Sequence, residues 1–143
     1  MLGADISFLP ELEAKGIKFS ENGVEKDAIQ SLKDRGFNYV CLRIFPATDS
    51  GYSPGKDFCD LTHTLQMAKR VKASGMKLLL DFHYSDYWGD PGHQIKPAAW
   101  KNFDFEQMKQ ALYDYTKHEI NHGINWPGGN VSSIDGLAQL VNA

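Results

Sequence analysis

The chain has 143 residues, 42% of them hydrophobic, which is enough for one core and too few for two ordinary domains. A net charge of −3 with scattered Lys and Arg leaves no basic footprint, which excludes nucleic acid and an anionic membrane surface as natural partners. No apolar run approaches the roughly 20 residues of a membrane span, and Met1 leads into a strand-like segment with no signal peptide in this chain.

In chain order, a first strand is predicted over Leu2–Phe8. A helix near Val24–Arg35 follows, with Asn22-Gly23 turning before it and Gly36 stopping it. A second strand covers Tyr39–Phe45. The next helix, near Leu61–Ser74, starts from Asp60 as N-cap and is closed by Gly75. A third strand covers Met76–Phe82. After a long polar loop, a third helix begins at Asp104, where Gln107 stands three residues on in capping-box spacing. Met108, Ala111, Leu112 and Tyr115 give it helical periodicity. A Gly/Asn/Pro-rich loop over Asn121–Asn130 and a short final helix near Ile134–Val141 complete the chain. Cys41 and Cys59 read as two reduced thiols, since one sits in mid-strand and the other near a helix start. The surface charges and His63 of the second helix read as a solvated face.

The three strands start 37 residues apart, room for a loop and a helix between parallel neighbours. Their alternation says more than their spacing. Val40, Leu42 and Ile44 share one face, and Tyr39, Cys41 and Arg43 the other. In the third strand Met76, Leu78, Leu80 and Phe82 oppose Lys77, Leu79, Asp81 and His83; in the first, Leu2, Ala4, Ile6 and Phe8 oppose Gly3, Asp5 and Ser7. Each strand has one apolar face for helices to cover, and a second that turns polar toward its carboxyl end. A (β/α)8 barrel meets both demands, with helices outside and a polar site inside at the top. The expected architecture is therefore α/β of the TIM-barrel class: a single partial barrel over 1–143, of about three βα units plus a short terminal helix. A doubly wound sheet would need apolar residues on both faces and a Gly-rich phosphate turn, which the first strand–helix loop lacks.

Chemistry gathers at the end of the third strand, where Leu78–Trp100 reads LLLDFHYSDYWGDPGHQIKPAAW. His83, Tyr84, Asp86 and Trp88 form a candidate substrate-binding rim. Polar groups beside flat aromatic faces suit a sugar, whose hydroxyls need hydrogen bonds and whose C–H faces stack on indole. A metal reading would use His83, Asp86, Asp90 and His93, but their spacing matches no familiar zinc pattern. Arg43 and Asp81 are expected to pair inside the barrel, with Arg43 orienting an acid or a sugar hydroxyl. Asp5 and Ser7 are weaker candidates. Trp126 is either a stacking platform or a loop residue packed on the body; Trp100 is expected to anchor the loop to the rim.

The Leu78–Trp100 segment closely resembles the corresponding motif of glycoside hydrolase family 53, the endo-β-1,4-galactanases. The resemblance also runs through Gly3-Ala4-Asp5-Ile6-Ser7, Leu32-Lys33-Asp34 and Leu42-Arg43, and resumes at Glu119-Ile120-Asn121-His122-Gly123 and Trp126-Pro127. It implies a retaining (β/α)8 glycosidase that cleaves β-1,4-galactan or type I arabinogalactan outside the cytoplasm, in an extracellular or periplasmic setting. Such an enzyme uses two glutamates and no cofactor or metal. Arg43 and His83 would help bind the sugar, Trp88 and Trp126 would stack on it, and Glu119 would be the acid/base.

Two departures follow. The family carries its acid/base glutamate at the end of the fourth strand in an Asn-Glu-Ile context, whereas here His118 precedes Glu119 and no apolar strand precedes either. The nucleophile of the family's seventh strand has no counterpart before Ala143. One helix from Asp104 to Glu119 would span roughly 20 Å, which is expected to leave Glu119 at the far end from His83 and Trp88. The alternative reading is a non-catalytic galactan-binding half-barrel or an inactive fragment, whose open edges invite self-association.

Overall fold

The computed structural model describes residues 1–47, 58–87, 92 and 94–123. Strand β1 (Gly3–Asp5) is followed by helix α1 (Leu9–Ala14), a hairpin of β2 (Ser20–Glu21) and β3 (Val24–Glu25), and helix α2 (Ala28–Asp34). Strand β4 (Tyr39–Ile44), helix α3 (Leu61–Ala73), strand β5 (Lys77–Phe82), a 3-10 turn (Ala98–Trp100) and helix α4 (Phe105–Gly123) complete the described chain. The sheet order is β1-β4-β5, with both pairings parallel.

Three expectations change in detail. The first strand is short, because residues after Asp5 turn into α1, a helix the sequence reading did not anticipate. Asn22-Gly23 does not introduce a helix. Both residues hold positive φ (52° and 80°), the two-residue turn that matches the twist of a hairpin, and they join β2 to β3. Helix α2 instead starts at Asp27, whose carboxylate accepts the Gln30 amide at 2.9 Å. Finally, α4 runs through Asn121 to Gly123, where a loop was expected. The final helix near Ile134–Val141 lies outside the described residues.

The other signals hold. Asp60 caps α3, accepting the His63 amide at 2.7 Å, and Arg70 and Lys72 sit in the last turn, where cations suit the helix dipole. His63 is not merely solvated: its Nδ1 lies 2.8 Å from Asp60 Oδ1 and its ring rests against Phe58. Gly75, at φ 75°, ends the helix in the left-handed region. The α4 capping box is reciprocal, Gln107 N to Asp104 Oδ1 at 2.9 Å and Asp104 N to Gln107 Oε1 at 3.0 Å.

Helix α3 buries Thr64, Met67, Ala68 and Val71, spaced i, i+3, i+4 and i+7, against the sheet. Val40 and Leu42 meet this face and join Leu9, Ile29 and Met76 in one core. Each such side chain contributes about 1.5–3 kcal/mol through burial. The register sets Val40 beside Leu78, Leu42 beside Leu80 and Ile44 beside Phe82 on the helix-covered face. Tyr39 beside Lys77, Cys41 beside Leu79 and Arg43 beside Asp81 form the other face. That inner face is open: Leu79 is 51% exposed, whereas Leu42 in the strand beside it is 2% exposed.

Candidate functional site

At the carboxyl end of the inner face, Arg43 is the centre. Its Nη2 donates to Asp5 Oδ2 at 2.5 Å, and its Nε lies 3.8 Å from Asp81 Oδ2. The expected Arg43–Asp81 pair is therefore secondary to an Arg43–Asp5 pair. The signal for it lay in the alternation, which puts Asp5, Arg43 and Asp81 on one face at the strand ends. Ser7 completes the group: its hydroxyl donates to Asp5 Oδ1 at 2.7 Å and accepts the Arg43 amide at 2.8 Å.

His83 continues the ladder past β5, donating its amide to Ile44 O at 2.8 Å. Its ring lies 4.3 Å from that of Phe45. Burial pushes its pKa below the ordinary value, Asp81 works against that, and Arg43 adds to it. The imidazole is thus neutral at pH 7, able to donate from one nitrogen and accept at the other. Burial, then Asp5 and Asp81, push the Cys41 thiol up, so it stays protonated on the same face. No disulfide joins Cys41 and Cys59. Arg43 as donor, Asp81 as an exposed acceptor and neutral His83 form a set that fits a polyhydroxylated ligand.

Tyr84 points the other way. Its hydroxyl lies 2.9 Å from Thr116 Oγ1 on α4, and its ring meets Tyr115 edge-on. Thr116 commits its proton to Leu112 O at 2.8 Å, so Tyr84 is the donor of that bond. Asp86 is 1% exposed, and its Oδ2 accepts the Ala98 amide at 2.7 Å, fastening the two ends of the loop between them. Asp86 Oδ1 is buried and makes no hydrogen bond among the described residues. The Trp100 ring lies edge-on to Tyr115 of α4. Trp88, Asp90, His93 and Trp126 lie outside the described residues.

Glu119 lies in α4 and is 8% exposed. Phe82, on the helix-covered face, meets Tyr115 edge-on, and Glu119 is one turn on from Tyr115 along the same side of α4. Burial first, and then the Glu119 charge, push the Tyr115 phenol above its ordinary range. Glu119 is three residues past Thr116, which touches Tyr84, while Trp88 lies outside the described residues. Asp81 and Phe82 project to opposite faces, so Arg43 and His83 are together on one side, and Tyr115, one turn before Glu119, packs on the other.

The parallel strands with helices packed on one face and polar groups at the strand ends define part of a TIM barrel. The sequence model of glycosyl hydrolase family 53 matches residues 1–128, and this chain belongs to that family. The endo-beta-1,4-galactanase of Bacillus subtilis (strain 168) is 42% identical over 127 residues, covering 85% of this chain and 29% of the relative. A probable arabinogalactan endo-beta-1,4-galactanase A of Aspergillus terreus is 34% identical over 161 aligned positions, covering 99% of this chain and 44% of the relative. The solved family 53 catalytic domain of Ignisphaera aggregans superposes with a TM-score of 0.75 at 35% identity, over 85% of this chain and 34% of that one. The chain thus spans less than half the length of these relatives. The 161 aligned positions exceed the 143 residues here by 18, so at least that many positions of the Aspergillus relative face a gap.

Proposed function

We propose that this chain recognises β-1,4-linked galactan, as in type I arabinogalactan, on its inner face through Arg43, Asp81 and His83. Tyr84 and Asp86 shape the rim, and Trp88 and Trp126 are the stacking surfaces. Endo-acting, retaining hydrolysis is the activity proposed for complete barrels of the family, where two glutamates flank the scissile bond and no cofactor is needed. In this chain the reading is binding without hydrolysis. The observation that supports it is that Glu119 is buried on α4 one turn past Tyr115, which meets Phe82 on the face of β5 opposite Arg43 and Asp81. A polysaccharide ligand places its work outside the cytoplasm.

One observation favours the rival, hydrolysis by Glu119: Tyr84 touches α4 only a turn before that residue. The deciding experiment measures galactan affinity and release of reducing ends by the wild type, Arg43→Ala and Glu119→Gln. Binding weakened but still measurable in Arg43→Ala and kept in Glu119→Gln, with no reducing ends released, is the expected result. Reducing ends released by the wild type and abolished by Glu119→Gln would establish the hydrolase instead.

A further inference from the structure

We propose that Ser7 is a positioning residue for sugar recognition, fixing the guanidinium of Arg43 through Asp5. The ligand rests on the galactan reading above; the positioning rests on geometry alone. Strand β1 ends at Asp5, and its ladder with β4 closes with the Ile6 amide donating to Cys41 O at 3.2 Å. The next backbone donor on β4, the amide of Arg43, is taken up by a side chain, the hydroxyl of Ser7 at 2.8 Å. That hydroxyl has one proton, and it goes to Asp5 Oδ1 at 2.7 Å. The Ser7 amide donates to the same oxygen at 3.0 Å.

Asp5 Oδ1 therefore takes two donors from one residue, a bracket that stops the carboxylate from turning. Its other oxygen is left facing Arg43 Nη2 at 2.5 Å. Ser7 thus holds Arg43 at both ends, the backbone directly and the guanidinium by way of Asp5. Ser7 is itself 4% exposed, and its carbonyl accepts from Cys59 Sγ at 3.6 Å, so the bracket is anchored from behind. Without it Asp5 can rotate, and the guanidinium can swing toward Asp81, now 3.8 Å from Nε. The charge-assisted bond that orients this donor would then be weakened.

The test uses a double-mutant cycle and a direct view of the side chain. The chain has three arginines, Arg35, Arg43 and Arg70, so the Arg43 Nε–H resonance is assigned by its loss in Arg43→Lys. Ser7→Ala should shift that resonance and speed its solvent exchange. Asp5→Asn, which keeps a carbonyl for Ser7 and drops the charge facing Arg43, should do the same should Ser7→Ala fold poorly. An unchanged resonance in a folded variant overturns the proposal, whatever the galactan result. Ser7→Ala should also weaken galactan affinity about tenfold, and add nothing in an Arg43→Ala background. Equal losses in both backgrounds would overturn the positioning role. A wild type that binds no galactan defeats the galactan reading, and the resonance then decides the role of Ser7 alone.

Discussion

The phenol of Tyr84 and the hydroxyl of Thr116, 32 residues apart, lie 2.9 Å from each other and join the end of β5 to α4. Thr116 donates elsewhere, so this bond exists only while Tyr84 carries its hydroxyl. Tyr84→Phe keeps the edge-on contact with Tyr115 and removes one hydrogen bond, so it should lower stability by about 1 kcal/mol in urea unfolding. Galactan affinity should change less than that of Arg43→Ala. Unchanged stability with a large loss of affinity would reassign the hydroxyl to the ligand.

Arg70 ties three helices together. Its Nη1 and Nη2 donate to the two oxygens of Glu13 at 2.7 and 2.9 Å, and Nη2 also reaches Asp27 Oδ2 at 2.7 Å, so α1 and the α2 cap are held on α3. Burial raises the Asp27 pKa, but the Gln30 amide and Arg70 outweigh it and hold the carboxyl below its ordinary value. A depressed carboxyl contributes stability above its unfolded pKa, near 4, and loses it as pH falls through the folded value. All three groups are at least a third exposed, so Arg70→Ala should cost only about 1 kcal/mol at pH 7. That cost should shrink toward pH 3; thermal melts at pH 7 and 3 check it, and an equal cost at both would remove the charge from the account.

His83 gives the inner face its own titration. Its pKa is held below the ordinary 6.5, chiefly by burial. The stability from its neutral form is complete above pH 6.5 and is lost as pH falls through the lower folded value. An NMR titration should place the midpoint under 6.5. Asp81→Asn should lower it further and Arg43→Gln should raise it, because those two charges act in opposite senses. A midpoint that ignores both substitutions would mean the ring is shielded from them.

The β4 alternation was legible because a period of two with one apolar face leaves no second way to pack Val40, Leu42 and Ile44. The caps at Asp60 and Asp104 were legible because they are local. Asn22-Gly23 was misread because the same turn residues serve a hairpin and a helix entry, and only pairing of Ser20 with Glu25 distinguishes them. Helix α1 was hidden by its six residues, too few for a period, and by apolar positions that continued the strand pattern to Phe8. The Asp5–Arg43 pair depends on rotamers in three segments, so alternation put both residues on one face without saying which acid comes closer. Glu119 was placed by helix length alone. Tyr115, one turn before it, packs on Phe82, a long-range contact that periodicity does not carry.

Leu42 and Leu79 separate the two faces energetically. Leu42, on the helix-covered face, should lose about 2–5 kcal/mol on substitution to Ala, through lost transfer energy and the cavity left behind. Leu79, one position over on the neighbouring strand, is half exposed on the inner face. Leu79→Ser in a monomer should therefore stay within about 0.5 kcal/mol of the wild type. In a closed barrel the same side chain would be packed inside, where a polar group without a partner is costly. Urea unfolding at several protein concentrations, with sedimentation to follow mass, distinguishes the two states. A small, concentration-independent effect fits the open face. A loss of several kcal/mol that grows with concentration would mean that a second copy covers Leu79, joining through the edges of β1 and β5.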